Sequence, residues 1–373
     1  MTSANEAKAL PNYLVTFHSA WSYGASLQAF ATLEAMRAFG KKFEILNYIN
    51  PYAKHKNVFD LAKDGSFKQA FAAGVKDVFF KRTALHEKAF SDFQNRLPKT
   101  EAVFTDSSQL GGIEADIMMS GSDQIWNPRI TGGLDPVFFL DFGSCRKRIS
   151  VASSLGSYHY SSEESSSVKE YLSRYDYVSV REAHAQKELS EVAGISAFRC
   201  LDPTLLLDAE YWREFSRKPK GFSGDEQYIL VFNLAKRPDA EERLWSDFSK
   251  KTGLPLWRIS NNTYKDAVFD KLLLGMTPEE FVWLIDHAQF VITDSFHGTA
   301  FSVGMNTPFA AFPPVFGNSA RIVDLLDLVN MSNRLIGENV DFGDLVEADF
   351  AEANFLLSDE RGKCNDWIKR ALR

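Results

Sequence analysis

Apolar and polar positions along this chain switch repeatedly between a strand period and a helix period. Residues 13–17 form a short apolar run that reads as a strand. A turn-like stretch from His18 to Gly24 follows. Leu27, Phe30, Ala31, Leu33, Met36 and Phe39 then recur at helical spacing, Gly40 offers a stop, and residues 43–48 read as a second strand. A strand–helix–strand unit of this kind builds a parallel sheet with right-handed crossovers. Residues 50–110 are aromatic and basic, and Phe71, Val75, Val78 and Phe79 share one helical face, which predicts a helical insertion. Alternation then resumes, with strands at 115–119, 148–153 and 177–180 and helices over 163–171 and from 183 to about 192. Residues 202–205 close this half.

Residues 218–226 are polar and rich in glycine and proline, as linkers are. A second alternation begins beyond them. Strands are predicted at 228–232, 256–259, 290–293 and 308–312, and a helix over 240–251. Thr277, followed by Pro278 and two glutamates, opens another helix with a capping pattern. Further helices open at 294–299 and at 318–321, the latter ending near Val329, and a last one lies around 365–373. The pattern predicts an α/β protein of two doubly wound, Rossmann-like domains facing a cleft. The first spans 1–217 with the insertion around 55–110; the second spans 227–373, with its last helix a candidate to pack back on the first domain. Ligands of open α/β sheets bind at the carboxyl ends of strands. The tips at 18–24, 121–127, 181–182, 294–299 and 318–321 are therefore where function is expected.

Composition agrees with this division. A chain of 373 residues exceeds the roughly 250–300 at which a single core usually splits. Hydrophobic content of 45% and charged content of 24% are those of ordinary globular proteins. A net charge of −7 excludes a sequence-independent grip on nucleic acid while leaving room for a small basic pocket. Cys145, Cys200 and Cys364 are far apart and odd in number, so neither a zinc spacing nor a disulfide framework can be drawn. Residues 1–11 are polar and alanine-rich, without the apolar core of a signal peptide, and no run approaches the ~20 apolar residues of a membrane span. A cytoplasmic protein is expected, touching a membrane only at its surface. His55, His86, His159, His184 and His287 have no partners at ligand spacing and read as surface or satisfied structural groups. No metal or cofactor is expected.

The candidate chemistry lies at the strand tips. In Asp294-Ser295-Phe296-His297-Gly298-Thr299 an apolar strand empties into a helix start, where free N–H groups and the positive dipole end suit an anion. Gly298 would let the backbone approach a ligand, and His297 would stand on the cleft floor in a pKa range suited to proton transfer. The alternative is a loop histidine bonded to backbone. Arg181, at a strand end, is placed to fork onto a carboxylate or phosphate, or else to pair with Glu182 or a nearby acid. Asp123, Gln124, Trp126 and Asn127 combine groups common in sugar sites, or form a structured turn with Trp126 in the core and Asp123 as a cap. Ser22-Tyr23-Gly24 precedes the long helix, where Gly24 and the helix start could accept a phosphate, though a lone glycine is a weak signal. Asn318, Ser319 and Arg321 open another, and an arginine at a helix start makes more sense beside an anion.

Read together and in order, Tyr23-Gly-Ala-Ser-Leu-Gln-Ala29, Gly121-Ser-Asp-Gln-Ile-Trp-Asn-Pro128, Ser179-Val-Arg-Glu182, Asp202-Pro-Thr204 and Thr293-Asp-Ser-Phe-His-Gly-Thr299 with Pro308-Phe309 resemble the polysaccharide pyruvyl transferases. The resemblance spans about residues 13–330. It implies a GT-B-like fold, phosphoenolpyruvate as donor, and a sugar, oligosaccharide or lipid-linked glycan as acceptor. It also implies a catalytic histidine at His297 and a donor-binding arginine at Arg181. On this reading Asp294 joins His297 in catalysis. The donor is held by Arg181, Ser295, Phe296, Gly298, Thr299, Ser319 and Arg321, and the acceptor by Tyr23, Asp123, Gln124, Trp126 and Asn127. Some family members carry arginine where this chain has Ser295, and by position Arg321, Lys236 and Arg237 are the candidate replacements. A nucleotide-sugar glycosyltransferase of similar architecture and a non-catalytic anion- or glycan-binding relative are the competing readings.

Overall fold

The structure is a computed structural model that describes residues 9–53, 82–235, 237–259, 268–315, 319–336 and 345–373. Strands β1 (Asn12–Val15), β2 (Glu44–Ile45), β3 (Glu114–Ser120) and β4 (Ser144–Ser150) form a parallel sheet in the order β2-β1-β3-β4. The short parallel pair β5 (Ser179–Val180) and β6 (Phe198–Arg199) continues it through bridges from Ile149 to Tyr177 and from Ser153 to Val180. A second parallel sheet holds β7 (Ile229–Phe232), β8 (Leu256–Ile259), β9 (Lys271–Leu273), β10 (Phe290–Thr293) and β11 (Phe309–Ala311) in the order β11-β10-β7-β8-β9. Central strands of such sheets are covered on both faces and so read as continuous apolar runs. Ile117, Met118 and Met119 of β3 and all four residues of β10 are buried in this way.

The helices cover these sheets. They are α1 (Tyr23–Ala38), α2 (Arg82–Gln94), α3 (Pro128–Thr131), α4 (Ser162–Leu172), α5 (Ala183–Ala193), α6 (Pro203–Leu206), α7 (Ala209–Phe215), α8 (Asp239–Thr252), α9 (Pro278–Asp286), α10 (Phe296–Met305), α11 (Ala320–Leu328) and α12 (Ala351–Leu372). Their ends follow local chemistry. Thr277 caps α9 through a capping box with Glu280, and Gly194 and Gly253 close α5 and α8 in the left-handed region.

The two halves meet face to face, and the arrangement is two Rossmann-like units of the GT-B-like class. Tyr23, at the start of α1, stacks on Phe281 of α9 with centroids 4.4 Å apart and donates its hydroxyl proton to the Met276 carbonyl at 2.9 Å. One apolar cluster runs through both halves at this contact. The backbone N–H of Ala183 is held by Asp324 of α11 at 2.8 Å. The carboxyl ends of β1, β3, β4 and β5 are thereby brought toward that of β10.

Several elements differ from the sequence pattern. Helix α12 begins well before residue 365, because its early turns bury only a narrow stripe, with Ala353 and Leu357 inside and Phe355 73% exposed. It lies on the first sheet's side: Trp367 stacks on Phe198 at 5.3 Å, and Arg361 donates to the Leu205 carbonyl at 2.6 Å. Strand β4 starts at Ser144, its first half hidden by the basic run Arg146-Lys147-Arg148. Strand β9 and helix α7 carried no clear period. Within the predicted insertion, α2 and a 3-10 turn at Ser107–Leu110 are present, while Phe71, Val75, Val78 and Phe79 lie outside the described residues. Among the described residues, no helix is long and apolar enough to cross a membrane.

Candidate active site between the two halves

The buried strand β10 delivers Asp294 and Ser295 to the start of α10. Ser295 is the helix cap: its Oγ accepts from the Gly298 N–H at 3.3 Å, and its carbonyl accepts from the Thr299 N–H at 2.9 Å and hydroxyl at 3.1 Å. His297, one residue into the helix, is buried and points across to the other half. Its ring lies on the bare Cα of Gly24, so close that a Cβ there would come 2.1 Å from Nδ1. The glycine in the first turn of α1 is thus the space into which the imidazole fits. The other ring nitrogen, Nε2, stands 3.6 Å from Asp202 Oδ2, too far for a hydrogen bond, and is buried without a hydrogen-bond partner.

Arg181 leaves the end of β5 beneath this histidine. Its Nη1 donates to Asp202 Oδ2 at 2.6 Å, its Nη2 to Ser154 Oγ at 3.0 Å and its Nε to Glu182 Oε1 at 3.1 Å, while Ser154 itself donates to Glu182. Asp202 caps α6 and is fixed on its other oxygen by the Thr204 N–H at 3.0 Å and hydroxyl at 2.7 Å. Burial alone would raise the pKa of Asp202. Its hydrogen bonds and the charges of His297 and Arg181 reverse that and hold the carboxyl well below its ordinary range. Arg181 likewise pays a burial penalty that Glu182, Asp202 and Asp123 outweigh, which keeps it firmly charged.

Phe296 forms the floor. The Arg181 guanidinium lies 4.5 Å from its centroid, that of Arg321 5.8 Å, and the His297 ring meets it edge-on at 5.1 Å. Arg321, half-buried in the first turn of α11, makes no hydrogen bond or ion pair among the described residues. Burial and the nearby Arg181 weaken its hold on the proton, partly offset by Glu182 and Asp123, yet a guanidinium stays charged. Glu182 Oε2 and Ser153 Oγ are also buried without partners. A cluster of buried charged and polar groups without hydrogen bonds, at the junction of the two halves, makes this the candidate ligand site.

Other residues expected at the site sit elsewhere or are already engaged. Trp126 is fully buried, stacks on Phe139 at 5.4 Å and donates to the Phe138 carbonyl at 3.0 Å, so its indole is core and cannot cover a sugar ring. Tyr23 is core at the domain contact. Asn127 caps α3 and bonds Gln124, which leaves only Asp123 of that loop in the field of Arg181 and Arg321. The two oxygens of Asp294 take the Leu234 N–H at 2.7 Å and Arg237 at 3.4 Å, and Arg237 is further tied to Glu241 and the Pro313 carbonyl. Asp294 therefore fastens a loop, its pKa raised by burial against the opposing pull of Leu234 and Arg237. Gly298 faces Thr293 and Phe232, which makes it a point of close helix–strand packing and not of ligand approach. Ser319 occupies the cap position of α11 without a capping bond, and Asn318 and Lys236 lie outside the described residues. Sequence reasoning passed over Asp202 and Ser154 as site residues, and it weighed Gly24 as a phosphate acceptor and not as the seat of the imidazole. Asp202-Pro203-Thr204 and Gly24 stood inside the recognised stretches, but only the fold brings them to His297.

Two facing Rossmann-like halves thus bring a histidine, two arginines and carboxylates together at their junction. The chain belongs to the polysaccharide pyruvyl transferase family, whose model matches residues 23–314. Solved structures with similar chains include UDP-GlcNAc 2-epimerase of Neisseria meningitidis, at 8% identity with 97% of this chain and 98% of that chain covered and a TM-score of 0.47. The corresponding enzyme of Methanocaldococcus jannaschii is 12% identical, with 98% and 99% covered and a TM-score of 0.44. An E. coli heptosyltransferase with ADP is 12% identical, with 94% and 99% covered and a TM-score of 0.42. No curated protein matches the sequence.

Proposed function

We propose that the protein transfers a pyruvyl group from phosphoenolpyruvate to two hydroxyls of a sugar, oligosaccharide or lipid-linked glycan in the cytoplasm, forming a cyclic ketal. The observation that carries this reading is the pair of groups on Phe296: Arg321, with no hydrogen bond or ion pair among the described residues, and His297, whose buried Nε2 has no hydrogen bond. Phosphoenolpyruvate carries close to three negative charges, because the second phosphate ionisation lies near ~6. In this proposal Arg321 meets the donor's anionic groups in place of the arginine absent at Ser295. Arg237 is already engaged, so it does not compete for that role. Arg181 stays charged beside Arg321 and His297, held in place by Glu182, Asp202 and Ser154, with its charge largely balanced by the two carboxylates.

Protonated His297 gives its proton to the methylene carbon of the donor, leaving an oxocarbenium-like centre at the neighbouring carbon. A sugar hydroxyl adds there and loses its proton. The carbon–oxygen bond to phosphate breaks, and a second hydroxyl closes the ketal with loss of its own proton. Atoms and charge balance as donor plus diol to ketal plus phosphate, without a cofactor. Asp202, on the far side of Nε2, stabilises the charged imidazole before transfer.

Incubation with phosphoenolpyruvate and a panel of glycosides tests the reading. Phosphate is expected to be released in step with an acceptor mass gain equal to a pyruvyl ketal. Transfer of a hexose from a nucleotide sugar, or donor binding without turnover on any acceptor, would overturn it. Arg321→Ala should weaken donor affinity about tenfold or more, as expected for losing a charged hydrogen-bond donor.

A further inference from the structure

A second cluster of chemistry lies on the first half, in residues that the proposed transfer does not use. His184 and Glu188 stand four apart on α5 and so share one face of the helix. His159 reaches them from the segment between β4 and α4. One ligand atom from each of the three lies within 4.8 Å of the others. His159 Nδ1 is 2.8 Å from Glu188 Oε2, and the two imidazoles meet edge-on with centroids 4.4 Å apart.

Each member is held as a ligand would be. Glu188 is nearly fully buried, and its Oε1 accepts the Tyr160 N–H at 2.7 Å, which turns Oε2 toward His159. A buried carboxylate with one neutral donor needs a positive charge beside it. His184 Nε2 lies 2.9 Å from the Tyr158 carbonyl. A carbonyl can only accept, so Nε2 carries the proton and Nδ1 keeps its lone pair. This is the tautomer lock commonly found behind a metal-ligating histidine. His159 is exposed, with 74% of its side chain accessible, and is free to adjust. Two imidazole nitrogens and one carboxylate oxygen form a donor set of the zinc type. With metal bonds of about 2.0–2.2 Å, neighbouring ligand atoms stand roughly 3.3 Å apart, so the cluster closes onto an ion by a small movement of His159.

We propose that His159, His184 and Glu188 bind a divalent transition-metal ion of the zinc class, with water completing its coordination. The ion would clip residues 154–160 to the first turn of α5. That turn follows directly on Arg181 and Glu182, and the clipped segment begins at Ser154, which holds both of them. The site is therefore structural, supporting the geometry of the charged floor and taking no part in bond making.

The test uses the full chain, with any histidine tag removed, stripped with chelator and titrated with Zn2+ and Co2+. One equivalent of Zn2+ should bind and raise the melting temperature. The Co2+ spectrum should show nitrogen and oxygen donors without a thiolate charge-transfer band. His159→Ala, at an exposed position that does not threaten folding, and His184→Ala should each lower affinity at least tenfold. Glu188→Gln, which keeps the Tyr160 bond, should do the same, and His287→Ala should change nothing. No binding in the native protein, a thiolate band, or affinity unchanged in both His159→Ala and His184→Ala would overturn the proposal and leave an ordinary histidine–glutamate ion pair. These readouts do not involve the transferase assay, so the site stands or falls apart from the proposed activity.

Discussion

His297 and Asp202 show how one contact sets the chemistry of a residue. The imidazole is lodged between Gly24 and Asp202, with Nε2 buried 3.6 Å from the Asp202 carboxylate and without a hydrogen bond. His297→Asn keeps approximate size and polarity but removes the transferable proton. Turnover should fall by about two orders of magnitude or more while donor affinity persists, since a transition-state interaction is lost. Near-normal turnover, measured beside donor binding by calorimetry, would end the role given to it. Asp202 carries a stability signature as well. Its folded-state carboxyl is depressed below the usual 3.8. A depressed carboxyl contributes stability that is complete above the unfolded value and is lost as pH falls through the folded one. Urea midpoints should therefore drop steeply as pH falls below about 4, and Asp202→Asn should flatten that slope while lowering stability at neutral pH. At this scale the sequence showed His297 and Arg181 as reactive types at strand tips. It left open whether they met a ligand or a protein partner, because that depends on residues more than twenty positions away.

At the scale of elements, the first turn of α1 is the informative case. Alanine is a better helix former than glycine by about 1 kcal/mol, so propensity alone would favour Gly24→Ala. The structure reverses the sign. The new methyl would stand on the imidazole, which is backed by Asp202 and Phe296 and has nowhere to retreat. Gly24→Ala should cut turnover more than tenfold and lower the melting temperature; an unchanged kcat would show that the ring can move without loss. Periodicity found β7, β8, β10, α1, α8 and α9, whose apolar faces are broad and whose caps are explicit, as in Thr277 and Glu280. It missed β9, α7 and the early turns of α12, where few side chains are buried and charges interrupt the period.

At the scale of the molecule, Tyr23 is one of the contacts that join the two halves, beside the Arg96–Glu279 and Arg213–Asp286 ion pairs and the Ala183–Asp324 bond. The ring is buried against Phe281, Phe90 and Phe232, one of them from the first half and two from the second. Tyr23→Ala should cost about 3–5 kcal/mol, as large core truncations do, and loosen the junction that carries His297. Tyr23→Phe keeps the packing and loses only the bond to the Met276 carbonyl, for about 1 kcal/mol. Urea unfolding of both variants measures the difference. Equal losses would mean that the hydroxyl, and not the ring, holds the halves together.

The order of apolar runs, glycines and caps determined two parallel sheets of Rossmann-like units and placed reactive side chains at their strand ends, since period and capping are local properties of the chain. Family membership too was legible, from short stretches kept in order. Which reactive groups face one another was settled only in three dimensions. Trp126 and Tyr23 have the chemistry of sugar binders but are core, because burial of a ring is decided by what packs on it. Arg181 and Asp202, twenty-one positions apart, share one hydrogen bond. His159 found Glu188 across a sequence gap that no ligand spacing would suggest. The chain's local pattern set where each side chain could stand; the folding of one half onto the other set what it would meet, because contact energies act through space and not along the backbone.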